Sequence, residues 1–264
     1  MVLPSNSSMQ YNPTNTASRF TTKLNEMVEL GGNWEVGLVE ISMPKAVENV
    51  KSDDYYYVAY LTANNDPETV ERVVLPQGNY SKVKDVLYAL QHEQRIVFHL
   101  TTVNDIPIVI RYGSQSKRVS LKILAKPNTV IFGVQFSAAL AKMLGFNQYV
   151  IYDGHQEYRA YNPVDMHLNY NLMYVYCDLL EQILVGDTKA ALLRIVNRSP
   201  SDHELDGIGH TTFDPITYVP LQKKFFDTVE IQLMTDQGQP MPFVDGKSIV
   251  VLEFRRAAHP YLLL

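Results

Sequence analysis

The sequence predicts an all-β protein: a sandwich of about eight antiparallel strands, a jelly roll or a related arrangement, with an α+β insertion in its middle. Short runs rich in β-branched and aromatic residues recur along most of the chain. Helical spacing of apolar residues is confined to the central part. Of the 264 residues, 46% are hydrophobic and 19% charged, so the chain can bury a substantial core.

The first third predicts an arm followed by three strands. Residues 1–16 are rich in Ser, Asn and Thr and are expected to form a flexible N-terminal arm, either frayed or ordered by a neighbouring subunit. Strands are predicted at 19–24, 33–43 and 55–62. In the second of these, the apolar positions change parity between Leu38 and Val39, which indicates a bulge or burial on both faces.

The middle predicts an inserted α+β subdomain at residues 66–162. Val83, Val86, Leu87 and Leu90 have helical spacing and predict an amphipathic helix over 80–91. Strands are predicted at 95–100, 106–112 and 118–124. A second helix is predicted over 137–144, with an N-cap Ser137 and a glycine, Gly145, just past its end.

The remaining strands are predicted at 172–180, 190–196, 216–221, 228–234 and 248–256, with a loop at 202–212. Residues 17–65 and 163–257 would therefore form the sandwich core, and residues 258–264 a C-terminal tail. Periodicity does not choose the order in which the strands are connected.

Composition excludes several classes of protein. The net charge of −5 argues against a protein that coats duplex nucleic acid, so nucleic acid is not expected as a primary partner. The single cysteine, Cys177, rules out an intrachain disulfide and a four-cysteine zinc site. No signal peptide and no membrane-spanning run is expected, which favours a cytosolic or nuclear protein.

No catalytic, cofactor-binding or metal-ligating residue is assigned, because no known motif for such chemistry is present. The best metal candidate is the loop with Asp202, His203, Glu204, Asp206 and His210, whose spacing matches no known site. Cys177 lies in an apolar run, which favours a buried structural thiol over a nucleophile paired with His155 or His167.

Two surface features remain open between a structural and a binding role. Five basic residues without an intervening acid could contact an acidic partner or form the solvated face of a hairpin: Arg111, Lys117, Arg118, Lys122 and Lys126. The chain also has 17 tyrosines, a residue type enriched both in sheets and at protein interfaces. Candidate interface residues among them are Tyr55, Tyr56, Tyr57, Tyr161 and Tyr170.

Several phrases, in order along residues 5–256, resemble the minor capsid (penton) proteins of Polinton/Maverick elements and adintovirus-like viruses. The phrases are Ser5-Asn6-Ser7-Ser8, Arg19-Phe20-Thr21-Thr22-Lys23-Leu24, Trp34-Glu35-Val36-Gly37-Leu38-Val39-Glu40-Ile41, Leu140-Ala141-Lys142-Met143-Leu144-Gly145-Phe146, Tyr174-Val175-Tyr176-Cys177-Asp178, Val185-Gly186-Asp187, Phe225-Phe226-Asp227-Thr228-Val229-Glu230-Ile231, Gly246-Lys247 and Leu252-Glu253-Phe254-Arg255-Arg256.

The resemblance implies a single jelly roll that assembles as a homopentamer at the vertices of an icosahedral capsid. Its neighbours would be the double jelly-roll major capsid protein, and its location the virion, with assembly in the host cytoplasm or nucleus. It also implies a transposable element able to form virions, and neither an enzymatic activity nor a cofactor. In a pentamer, the apolar tail residues Tyr261 and Leu262 join the candidate interface.

Two other functions stay open at this point. A non-enzymatic β-sandwich could serve as a binding module that recognises a receptor or a glycan. An enzyme would have to be centred on Cys177 or on the loop from 202 to 210.

Overall fold

The computed structural model describes residues 1–52, 54–62, 69–100, 106–124, 129–153, 156–166, 170–198 and 207–257. In chain order its elements are β1 Val2–Pro4, β2 Arg19–Glu29, β3 Trp34–Pro44, β4 Tyr55–Thr62, β5 Thr69–Val74, α1 Val83–Val97, β6 Ile108–Gly113, β7 Arg118–Ile123, β8 Thr129–Phe136, α2 Ala138–Leu144, β9 Tyr152–Asp153, β10 Glu157–Arg159, β11 Leu172–Cys177, β12 Ile183–Val185, β13 Thr188–Ala190, β14 Leu192–Asn197, β15 Ile208–Thr212, β16 Tyr218–Pro220, β17 Phe225–Met234 and β18 Ile249–Arg256.

The chain divides into two units. Unit 1 consists of residues 1–47 and 170–264, and unit 2 is the intervening segment 48–169. Unit 2 is therefore inserted in the connection between β3 and β11. Residues 48–65 and 163–169, which the sequence analysis placed in the sandwich core, belong instead to unit 2.

Unit 1 is a jelly roll. Its first sheet has the order β1-β18-β3-β15, with β16 also paired to β3, and its second sheet has the order β14-β11-β17-β2. The hairpin β12–β13 forms a separate two-stranded sheet. If this hairpin is left out and β15 and β16 count as one interrupted strand, the first sheet holds strands 1, 8, 3 and 6 of unit 1 and the second holds 5, 4, 7 and 2. All pairings are antiparallel, and this alternation between two sheets is the jelly-roll connection. The predicted fold class is confirmed.

The phase change predicted in β3 is a bulge. Leu252 pairs with Leu38 and Val251 pairs with Glu40, so Val39 is the extra residue between them. Before the bulge Val36 and Leu38 face the core, and after it Ile41 and Met43 do. One inserted residue thus keeps the apolar side chains on the inner face over the whole strand.

The core of unit 1 lies between its two sheets. Buried side chains from the first sheet, such as Leu38 and Leu252, belong to one apolar cluster with buried side chains from the second, such as Val175 and Ile231. The inner positions alternate with polar or half-buried outer positions along β17, as expected for a sheet with one solvated face.

The first residues correct the expectation of a flexible arm over 1–16. Val2–Pro4 forms β1 and pairs with β18 at the edge of the first sheet, where Leu3 is fully buried. The following Ser/Asn-rich residues are held by local hydrogen bonds, for example from Asn15 Nδ2 to the carbonyl of Thr21, with the Thr21 amide donating back to Asn15 Oδ1. Polar composition therefore reflects side-chain capping of backbone groups in this segment.

Unit 2 contains the four-stranded sheet β5-β4-β8-β9 and the three-stranded sheet β10-β7-β6. They share one apolar cluster with α1 and α2, the two helices of the described residues. The caps predicted for α2 are confirmed: Ser137 Oγ accepts from the Leu140 amide, and Gly145 ends the helix at φ 81°. The strand predicted at 95–100 is wrong, because α1 continues to Val97.

The strand predicted at 55–62 is present as β4, but it pairs with β5 and β8 in unit 2 rather than with the jelly roll. Its place in the eight-strand roll is taken by β1. The strand predicted at 216–221 is present as β16, and β15, Ile208–Thr212, corrects the end of the loop predicted at 202–212. The apolar pattern of a short strand does not identify the strands with which it pairs, so the sequence alone could not assign β4 to unit 2 rather than to the jelly roll.

Candidate assembly surfaces

Cys177 is a buried thiol. It ends β11 on the core side and is 1% exposed. Burial raises its pKa to about 12, so the thiol stays protonated at neutral pH. The thiolate is the reactive form, and this environment disfavours it. His155 and His167, the bases considered for it, lie outside the described residues.

The candidate metal loop is described only at its end. Its residues from 202 to 206 lie outside the described part of the chain, while His210 lies on β15 with Nδ1 3.1 Å from Ser42 Oγ. In the segments that the structure describes, no group of three His, Cys, Asp or Glu side chains is close enough together to hold a metal ion.

Within the same segments, no helix is both long and apolar enough to cross a membrane.

Four of the five basic candidates lie on the β6–β7 hairpin of unit 2, and Lys126 falls outside the described residues. Lys117 is in the turn, with φ 52°. Lys122 lies opposite Glu157 of β10. A cross-strand pair of opposite charges is a common feature of a solvated sheet surface.

The three consecutive tyrosines of β4 differ in their surroundings. Tyr56 is fully buried in unit 2, with its ring centroid 5.9 Å from that of Phe136, so the prediction that Tyr56 is an interface residue is wrong. Tyr55 faces the other side of the sheet and is half-buried, and the Arg72 guanidinium lies 3.9 Å from its ring centroid. For Tyr57 the structure gives the strand position alone, opposite Arg72 and Gln135.

The other four interface candidates also differ in their exposure. Tyr161 is 74% exposed and accessible for contact. Tyr170 is half-buried against the core of unit 1. Tyr261 and Leu262 lie outside the described residues.

An apolar surface that the sequence analysis missed lies on part of the outer face of the second sheet of unit 1. Tyr174 of β11 lies between Ile195 of β14 and Met234 of β17, and Leu172 precedes it on the same face. Leu172 is 41% and Ile195 45% exposed. The signal was present as apolar residues at both parities of the run 172–177, which predicts a strand with two apolar faces.

A cavity of about 350 Å³ adjoins this surface. Its lining includes Tyr176, Ala190, Ala191, Gln232, Met234 and Gly238, from β11, the β13–β14 junction, β17 and the turn after β17. Two carboxylates also line it, and both have partners. Asp178 accepts from Lys223 Nζ at 2.6 Å and from the Glu230 amide at 2.8 Å, while Glu230 accepts from Arg19 Nε at 2.9 Å.

No family model matches the sequence, and no curated protein matches it. The structure is similar to the crystal structure of the SeMet-labelled mavirus penton protein, over 97% of this chain and 99% of that one. The TM-score is 0.54 and the sequence identity 11%. The chain therefore shares the fold of the mavirus penton protein over nearly its whole length, as the resemblance implied.

Proposed function

We propose that this chain is a penton protein: a minor capsid protein that forms the pentameric vertices of an icosahedral capsid. The observation that carries the proposal is the similarity in fold to the mavirus penton protein across nearly the whole of both chains. The similarity includes the segment inserted between β3 and β11, and so extends beyond the jelly roll that many capsid proteins use.

The surface chemistry supports a function by contact. Large apolar side chains are exposed at scattered sites and clustered on the outer face of the second sheet, while burial raises the pKa of the Cys177 thiol and disfavours its reactive form. A five-fold ring needs two different surfaces on each subunit that fit one another and close after five rotations. Obligate contacts of this kind bury on the order of 2,000 Å².

The partners in this proposal are four further copies of the chain and a double jelly-roll major capsid protein around each vertex. The location is the virion capsid, after assembly in the cytoplasm or nucleus of the host, and the genome would be that of a Polinton/Maverick-type transposable element. A structural, non-enzymatic role needs no cofactor. The net charge of −5 disfavours packaged nucleic acid as the main partner. Tyr55, Tyr57, Tyr161, Tyr170, Tyr261 and Leu262 remain interface candidates in this proposal.

Two measurements test it together. Light scattering of the purified chain should give a species of about 150 kDa, five times the chain mass of 30.1 kDa. Co-expression with the major capsid protein of the same element should place the chain in the particle fraction of a density gradient, with five-fold density at the vertices by electron cryomicroscopy. Closed particles that exclude the chain, together with a monomer at every concentration and salt, would overturn the proposal.

A further inference from the structure

Part of the outer face of the second sheet of unit 1 carries apolar side chains, although neighbouring outer positions of β17, Glu230 and Gln232, are polar. Leu172, Tyr174, Ile195 and Met234 lie side by side there, next to the cavity of about 350 Å³. We call these four side chains and the cavity the apolar groove. Its two carboxylates, Asp178 and Glu230, are bonded to Lys223 and Arg19. The groove therefore favours an apolar occupant over a cationic one.

The chain supplies a segment of matching chemistry just beyond the described residues. Residues 258–264 read Ala-His-Pro-Tyr-Leu-Leu-Leu and include four consecutive apolar or aromatic side chains, Tyr261 to Leu264. β18 ends at Arg256, and Pro260 cannot donate a ladder hydrogen bond, so the segment is not suited to extend β18 along the sheet. Burial of residues 261–264 against an apolar surface would therefore be favourable.

The four apolar side chains of the groove lie beyond the reach of residues 261–264 in the same chain. The Ala257 amide donates to the Asn33 carbonyl at 3.0 Å, and Lys224 Nζ donates to Asn33 Oδ1 at 3.3 Å, so the last described residue lies beside the beginning of β17. The near wall of the cavity, at Asp178, is bonded to Lys223 there, but Met234 lies nine residues beyond Phe225 along β17, or about 30 Å. Residue 264 reaches at most about 24 Å from Ala257.

We propose that residues 261–264 of one copy dock in the apolar groove of a neighbouring copy. The inference rests on the proposed function, since it assigns one contact of the pentamer. The tail and the groove are different surfaces of the same chain, and a contact between them is heterologous. A heterologous contact repeated head to tail is what a closed five-fold ring requires.

Complementation of two full-length variants tests the direction of the contact. Leu262→Asp places a charge in the tail and leaves the groove intact, whereas Met234→Glu places a charge in the groove and leaves the tail intact. Each variant alone should lose the five-chain species in light scattering. An equal mixture should give a dimer of about 60 kDa, because one chain offers a tail and the other a groove. Ile208→Glu, at a 53% exposed apolar residue of the first sheet, is the matched control and should keep the full ring.

A peptide titration tests the same contact without assembly. A fluorescein-labelled peptide of residues 257–264 should bind full-length Leu262→Asp protein, and Met234→Glu added to that protein should weaken binding about tenfold or more, while added Ile208→Glu should not. Absence of saturable binding, or equal binding by the Met234→Glu protein, would overturn the tail–groove contact.

The two experiments separate this inference from the proposed function. If the variants still form five-chain rings that enter capsids, the tail–groove contact is wrong and the penton function stands. If the unaltered chain neither forms rings nor enters capsids while the peptide still binds the groove, the penton function is wrong and the contact belongs to another assembly of this chain.

Discussion

Arg198 offers the sharpest test of how unit 1 is held together. This side chain is 1% exposed, and its guanidinium donates to the Lys45 carbonyl at 2.7 Å and to the Tyr170 carbonyl at 3.3 Å. Lys45 and Tyr170 flank, along the chain, the inserted segment 48–169. Arg198 thus holds together the points at which the chain leaves the jelly roll and returns to it. The two acceptors lie within about 8 Å of each other, since one planar group reaches both.

Arg198→Met keeps a side chain of similar length and removes the two guanidinium N–H groups that donate to the Lys45 and Tyr170 carbonyls. A hydrogen bond to a charged group contributes about 1.5–3 kcal/mol, and the bond of 3.3 Å counts at the lower end, so we expect unit 1 to lose about 3 kcal/mol of unfolding free energy. Arg198→Lys keeps the charge, but a single ammonium should recover less than half of this loss. The melting temperature of the Met variant should fall by about 6–12 °C.

The assay is urea unfolding followed by tryptophan fluorescence, because the single tryptophan, Trp34, lies on β3 of unit 1. Arg194→Met is the matched control. Its guanidinium stacks 4.0 Å from the Phe213 ring centroid and bonds Thr217 at a more exposed site, so its loss should cost less than about 1 kcal/mol. Equal unfolding midpoints for the Met variants at 198 and 194 would refute this stabilising role of Arg198.

Three further predictions follow from single positions. Leu3→Ala should destabilise unit 1 by about 3 kcal/mol in the same urea assay, because Leu3 is fully buried. An unchanged unfolding midpoint would instead support a flexible N-terminal arm. Gly145→Ala should destabilise unit 2 by about 2–4 kcal/mol, measured by circular dichroism, since the new Cβ would clash with the Asn162 carbonyl oxygen at φ 81°. Gly186→Ala, at a position with open space around it, should cost far less. Burial raises the pKa of Cys177 to about 12 from 9.0, so its contribution to stability is full below pH 9 and falls as the pH rises towards 12. Iodoacetamide at pH 8.5 should therefore modify Cys177 in urea and spare it in the native chain, and rapid native labelling would contradict this.

Local patterns in the sequence were enough to place individual elements. The caps of α2, Ser137 and Gly145, depend on hydrogen bonds and backbone angles within a few residues, so they are predictable from the chain itself. The same holds for the bulge at Val39, because a parity change in the apolar pattern is the direct trace of an extra residue in a strand. The all-β class and the burial of Cys177 follow from composition and apolar context in the same way.

Partnership between distant elements was decided by the tertiary structure alone. β4 has the pattern of a jelly-roll strand and pairs in unit 2, whereas the three residues of β1 enter the roll through β18, about 250 positions away. Tyr55 and Tyr56 are neighbours of one type, and only the orientation of the sheet buries one and leaves the other half-exposed. The apolar groove combines residues from β11, β14 and β17, so it exists only once those strands have paired. Sequence sets what each segment can form, and long-range pairing selects among partners of nearly equal local preference.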